Sequence, residues 1–248
     1  MYQEKVLKNI EVSDSFHING VLLTKENNES LVICCHGLGG NGNNHMNLET
    51  RDFVVENNLD YDVFRFDFYK EAENRRSFLN TTVQSQVNDL EKIVNFFSIK
   101  YDKIYIMAAS YGALTSAVLN SNKVTKQALI DPSFVIDTSW EQSNSKSILD
   151  IEGNKFNVSF DMTIPFLFNE DMKQEGLKWS PNKSQDYIDQ INVETLIVQA
   201  NSPYYHLSKH LNFENENIQT HFMEHADHSF TRLNNMNDML KKVFSYFE

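Results

Sequence analysis

The chain has 248 residues, 41% of them hydrophobic, which is enough to fill the core of a single α/β domain over 1–248. Its formal charge of −12 argues against nucleic acid or an anionic membrane as partner and otherwise indicates only solubility. No apolar run approaches the roughly 20 residues of a membrane span. The start, Met1-Tyr2-Gln3-Glu4-Lys5, lacks the apolar segment of a secretory signal, so a cytoplasmic location is expected. No linker or internal repeat divides the chain, and nothing in its two cysteines suggests a disulfide framework or a metal site.

Val6 to Val12 and His17 to Leu23 read as strands, the second interrupted by Asn19-Gly20, a tight-turn pair that would fold this segment into a hairpin. Leu31 to Cys35 is a short apolar strand in which the adjacent Cys34 and Cys35 face opposite sides and so cannot pair with each other. It runs into His36-Gly37-Leu38-Gly39-Gly40. Four of the chain's eight glycines (Gly37, Gly39, Gly40 and Gly42) sit in this loop. Glycine lets backbone N–H groups approach a ligand with no Cβ in the way, which suits an anion or oxyanion pocket. A phosphate loop is excluded, because no Lys-Ser/Thr follows the glycines.

With helical stretches between most of the strands, Val63 to Phe68 is the next strand and Lys103 to Met107 a further one. Ala108-Ala109-Ser110-Tyr111-Gly112 joins that strand to the helix-like stretch Ala113 to Leu119. A serine on a sharp strand-to-helix turn is held in a strained conformation, and the residues two before and two after it must be small, as Ala108 and Gly112 are. The plainer reading is an ordinary connection with a helix-capping serine. Gln127 to Ile130 and Thr195 to Gln199 are strands of the same largely parallel sheet. Between them, Trp140 to Asp189 is too long for one crossover. It contains Ser147 to Ile151, a Gly153-Asn154 turn and Phe156 to Phe160, which read as a hairpin, then the apolar Ile164-Pro165-Phe166-Leu167-Phe168. After the strand-like Gln219 to Met223 comes His225-Ala226-Asp227-His228-Ser229-Phe230. A histidine here, downstream of an elbow serine, lies where acyl-transfer chemistry needs its base.

On these residues the chain resembles the α/β-hydrolase superfamily over nearly its whole length, with Arg65-Phe66-Asp67 at a matching place and Asp89-Leu90 inside Val83 to Phe97 resembling the helix that leads into the elbow strand. The His-Gly-x-Gly-Gly loop, the Ala-Asp-His-Ser-Phe ending and the size look most like small bacterial carboxylesterases, including cinnamoyl (feruloyl) esterases and monoacylglycerol-lipase-like enzymes. The resemblance implies a mostly parallel sheet flanked by helices, with the insertion at about 140–189 as a small cap over the site. It implies hydrolysis of a small carboxylic ester through an acyl-enzyme. Ser110 is the nucleophile, His228 the base, and the N–H groups of Leu38 and Tyr111 form the oxyanion hole. Phe166 and Phe168 under the cap would touch substrate, the alternative being that they only hold the hairpin onto the body. His36 would shape the oxyanion loop, and His225 would be solvated or structural. A small acyl compound is then the partner expected, with no cofactor or metal, no nucleic acid and no membrane. Thioester or amide cleavage stays open on the same triad.

The sequence departs from the family pattern at the acid. The loop after Thr195 to Gln199, where related chains carry an Asp, reads Ala200-Asn201-Ser202-Pro203-Tyr204-Tyr205-His206. Three readings stand side by side. Asp131, in Ile130-Asp131-Pro132-Ser133, follows the preceding strand, where pancreatic-type lipases take their acid. Asn201, or a backbone carbonyl, would orient His228 without a charge, as an asparagine does in Cys-His-Asn enzymes. The third is a ligand-binding pseudoenzyme that has lost catalysis.

Overall fold

The computed structural model describes residues 1–136, 147–151, 154–159, 166–168 and 170–248. Its strands are β1 (Gln3–Glu11), β2 (His17–Thr24), β3 (Ser30–Cys35), β4 (Asp62–Phe66), β5 (Lys103–Ala109), β6 (Lys126–Ile130), β7 (Ser147–Ile151), β8 (Asn154–Ser159), β9 (Phe166–Phe168), β10 (Glu194–Ala200) and β11 (Ile218–Met223). Eight of them form one sheet in the order β1-β2-β4-β3-β5-β6-β10-β11. From β4 to β11 every neighbouring pair is parallel, and β1 and β2 extend that sheet antiparallel. The chain runs outward from β3 to β4 and then returns to the other side of β3 with β5. The C-terminal ends of β3 and β5 therefore flank the point where strand order reverses, which is where open α/β sheets bind ligands.

A parallel sheet must be covered on both faces, and the alternation along β3 does this. Leu31, Ile33 and Cys35 join one buried cluster, while Val32 and Cys34 join the other. The two thiols are accordingly free, buried and on opposite faces. Burial pushes the Cys34 thiol up to about 12 and that of Cys35 well above its ordinary value, so neither becomes a thiolate nucleophile.

The helices are α1 (His45–Glu56), α2 (Val83–Phe97), α3 (Tyr111–Leu119), α4 (Glu170–Gly176), α5 (Pro181–Asp189), α6 (Pro203–Ser208) and α7 (Asn235–Phe247). One face of the sheet carries α2, α3 and α5, through residues such as Leu90, Ala113 and Ile188. The other carries α1 and α7, whose Phe53 and Phe244 rings stack at 5.3 Å. Helix α7 buries Met236, Met239, Leu240, Val243, Phe244 and Phe247, the three-and-four spacing of an amphipathic helix against a core. A reciprocal box between Thr82 and Ser85 opens α2, and the Glu175 carboxylate of α4 accepts the next two N–H groups, from Val83 and Gln84. No helix among the described residues is long and apolar enough to cross a membrane.

Two sequence expectations change. Asn19-Gly20 is not a turn, because β2 runs unbroken through both residues. A Cβ on Gly20 would lie 2.4 Å from the Phe64 ring, so this glycine serves close packing against β4. Asn19 Oδ1 accepts a hydrogen bond from the N–H of Asn9, where the β1–β2 register slips. In the insertion, β7 and β8 form the expected antiparallel hairpin and β9 adds a third strand. Asn154 already belongs to β8 opposite Ile151, whereas Gly153 and Phe160 lie outside the described residues.

Candidate active site

Ser110 follows β5 directly and stands at the N-cap of α3 with φ 54 and ψ −117, a conformation that a residue with a Cβ adopts only under strain. Surrounding contacts impose it. The Ser110 N–H donates to Ile130 O at 2.9 Å, and Ser110 O accepts from the N–H of Ser133 at 3.2 Å, so the turn is clamped to the end of β6. A Cβ on Gly112 would fall 2.5 Å from His36 O. Strand β3 and helix α3 can pass this closely only because that position is glycine.

On the other side of the serine lies the glycine loop. A Cβ on Gly37 would meet that of Ser110 at 2.9 Å, which puts the loop backbone against the Ser110 side chain. Gly39 turns the chain with φ 72. Leu38 follows Gly37 in this loop, and Tyr111 opens α3 directly after Ser110. His36 is fully buried beneath the loop. Its Nδ1 lies 2.8 Å from Gly37 O, and its Nε2 accepts the Phe68 N–H at 3.0 Å. These partners assign the proton to Nδ1, and a protonated ring would lose its acceptor nitrogen. The Tyr69 hydroxyl also reaches the loop, 3.4 Å from Gly37 O, a role that its place in the sequence does not announce.

Burial lowers the pKa of His36 from its ordinary 6.5, against weaker opposing effects of the Gly37 carbonyl and the Asp67 charge. With the folded value below the unfolded one, this residue's contribution to stability is complete above about pH 6.5 and is lost as pH falls from there through the lowered value. The loss of melting temperature between pH 7 and pH 5 should therefore be smaller in His36→Gln, which keeps an acceptor for Phe68, than in the parent protein. Parallel melting curves over that range would refute this assignment.

Asp131 closes β6 with φ 40, and its side chain is almost fully buried. Its N–H donates to Val198 O at 2.7 Å, and its Oδ1 accepts the Ala200 N–H at 3.0 Å, so both ends of the residue are tied to β10. Its Oδ2 lies 2.6 Å from His228 Nδ1. Of the two acid candidates, Asp131 is thus brought to the histidine. Asn201 is exposed, and its N–H pairs with Ala226 O. His225 is exposed as well. Among the described residues Ser110 Oγ hydrogen-bonds Ser133 Oγ at 3.0 Å and not His228. Phe166 and Phe168 fall on β9, but their side chains lie outside the described residues, as does most of the stretch around them.

Val135, two residues after Ser133 in the chain, lines a cavity of about 280 Å³ together with Ile136, Leu177, Trp179, Pro181 and Leu207. Apart from Ser180, whose hydroxyl caps α5, its lining is apolar and carries no charge. No group of His, Cys, Asp or Glu among the described residues is placed to hold a metal ion.

No family model matches the chain, and neither does any curated protein. Solved structures match throughout. Est1E from Butyrivibrio proteoclasticus, solved with ferulic acid bound, superposes with a TM-score of 0.74 at 14% identity, covering 100% of this chain and 99% of that one. This chain has the α/β-hydrolase fold. An esterase from Pyrococcus furiosus gives a TM-score of 0.67 at 15% identity, over 99% of this chain and 92% of the other. A dienelactone hydrolase from Anabaena variabilis gives 0.67 at 12% identity, over 99% and 97%.

Proposed function

We propose that this chain is a serine hydrolase that cleaves a small carboxylic ester, with Ser110, His228 and Asp131 as its triad. The observation that carries this reading is the 2.6 Å contact of Asp131 Oδ2 with His228 Nδ1 beside a serine on a strained elbow. Likeness of fold to esterases is consistent with it, although one scaffold hosts many chemistries. The case for a binding-only protein rests on the carboxylate-free loop after β10, and the Asp131 carboxylate on His228 weighs against it.

With Nδ1–H donating to Asp131, His228 Nε2 is free to accept a proton. Ser110 Oγ swings from Ser133 to Nε2, gives up its proton and attacks the carbonyl carbon, whose π electrons move onto oxygen. The N–H groups of Leu38 and Tyr111 receive that oxyanion. When the tetrahedral species collapses, the C–O bond to the alcohol breaks, and the alcohol leaves with the proton held on Nε2. Water, deprotonated by the same nitrogen, then attacks the acyl-enzyme, and the acid and free Ser110 are released. The insertion around 140–189 serves as the cap, and the apolar cavity by Trp179 and Leu207 takes the substrate's apolar part. Thioesters and amides remain substrates to compare with esters on the same site.

Incubation with a fluorophosphonate probe, followed by peptide mass spectrometry, should place the adduct on Ser110, because labelling needs an activated serine. The same preparation should hydrolyse short p-nitrophenyl esters. An unlabelled Ser110 in folded protein would overturn the hydrolase reading.

A further inference from the structure

The loop that carries no acid presents an aromatic ring in its place. Tyr204 lies over His228 with ring centroids 4.2 Å apart and planes at 35°, close enough to stack on the imidazole. Its backbone is well held. Ser202, buried at the N-cap of α6, accepts the Tyr205 N–H, Pro203 occupies the first helical position, and Ser208 Oγ donates to Tyr204 O at 2.8 Å. The Tyr205 ring packs on Phe222 of β11 at 4.6 Å, which anchors the helix to that strand.

We infer that Tyr204 is a positioning residue for His228: its ring fixes the plane of the imidazole and covers the hydrogen bond to Asp131 from water. This rests on the triad proposed above. The His228 side chain is 31% exposed while Asp131 is 1% exposed, so the bond between them runs from a buried acid to a partly open base. A ring packed on the imidazole restricts its rotation, which would otherwise carry Nε2 away from Ser110. When His228 takes the serine proton, the π face stabilises the cation that forms. Burial and the neighbouring Asp131 charge both raise the phenol's pKa, so the ring stays neutral and adds no competing charge. The ring, rather than the hydroxyl, carries the role.

The test compares Tyr204→Phe, Tyr204→Leu and Tyr204→Met in the full chain. Two readouts are used, kcat and KM on a p-nitrophenyl ester and the low-field proton NMR line of His228 Nδ1–H. Tyr204→Phe should stay within about twofold of the parent in kcat. Leu and Met should lower kcat about tenfold with KM nearly unchanged, and should broaden the Nδ1–H line through faster exchange with water. Should one aliphatic variant fail to fold, the other supplies the comparison. Parent-like kcat and an unbroadened line in a folded aliphatic variant would overturn the inference. So would a loss in Tyr204→Phe equal to that in Tyr204→Leu. An inactive, unlabelled parent would refute the hydrolase reading itself, and the Nδ1–H line would then still decide whether the ring shields the Asp131–His228 bond.

Discussion

Ser110→Ala should lower kcat for a p-nitrophenyl ester by about 10⁶-fold and abolish fluorophosphonate labelling, since the proposed acyl-enzyme forms on the Ser110 hydroxyl. Stability should change little. Alanine keeps the Cβ and therefore the same backbone demand at φ 54, and the two clamps, Ser110 N–H to Ile130 O and Ser133 N–H to Ser110 O, involve only backbone atoms. What is lost is the hydroxyl's hydrogen bond to Ser133 Oγ. One such bond contributes on the order of 1 kcal/mol net. In a domain of this size that corresponds to a melting-temperature shift of about 2–4 °C. Activity in purified Ser110→Ala within tenfold of the parent would end the acyl-enzyme reading. A collapse in melting temperature would mean instead that the turn depends on the hydroxyl.

The parts of this fold that were legible in the sequence are those fixed by local rules. Strand positions followed from short β-branched and aromatic runs, and α2 lies at Val83–Phe97 as the family resemblance implies. The elbow was readable because close passage of strand and helix excludes a side chain at Gly112, a demand that one residue can display. Asn19-Gly20 misled because the same glycine answers two needs, a tight turn or a neighbour's bulk, and only the Phe64 ring across the sheet decides between them. The choice of acid was illegible for a related reason. Asp131 and Asn201 follow adjacent parallel strands, β6 and β10, so both are near candidates in the chain. The backbone at Asp131, with φ 40 and its N–H on Val198 O, aims one carboxylate across the strand ends to His228. Tyr69, Ser133 and Tyr204 carry no local signature, because each meets its partner through a contact distant in sequence. The Glu175 cap on α2 bridges 91 residues and has no local signature either.

Asp131→Asn is the sharpest probe of the site, because the backbone dictates how the amide must sit. The Ala200 N–H donates to Asp131 Oδ1 at 3.0 Å, so an asparagine there must keep its carbonyl oxygen on Ala200. Its NH₂ group then faces His228 Nδ1. Two donors cannot share that contact, so Nδ1 becomes the acceptor and the proton moves to Nε2, the nitrogen that must accept the Ser110 proton. Loss of the negative charge also leaves the imidazolium without its counter-ion. Together these effects should lower kcat by about four orders of magnitude, with KM nearly constant because Asp131 is buried behind His228. Asparagine tolerates positive φ as aspartate does, so the fold should survive. Asn201→Ala, on an exposed side chain, should leave kcat within about twofold. If the two variants exchange these outcomes, Asn201 and not Asp131 orients the base. If both are silent while Ser110 is still labelled, His228 works without a side-chain partner.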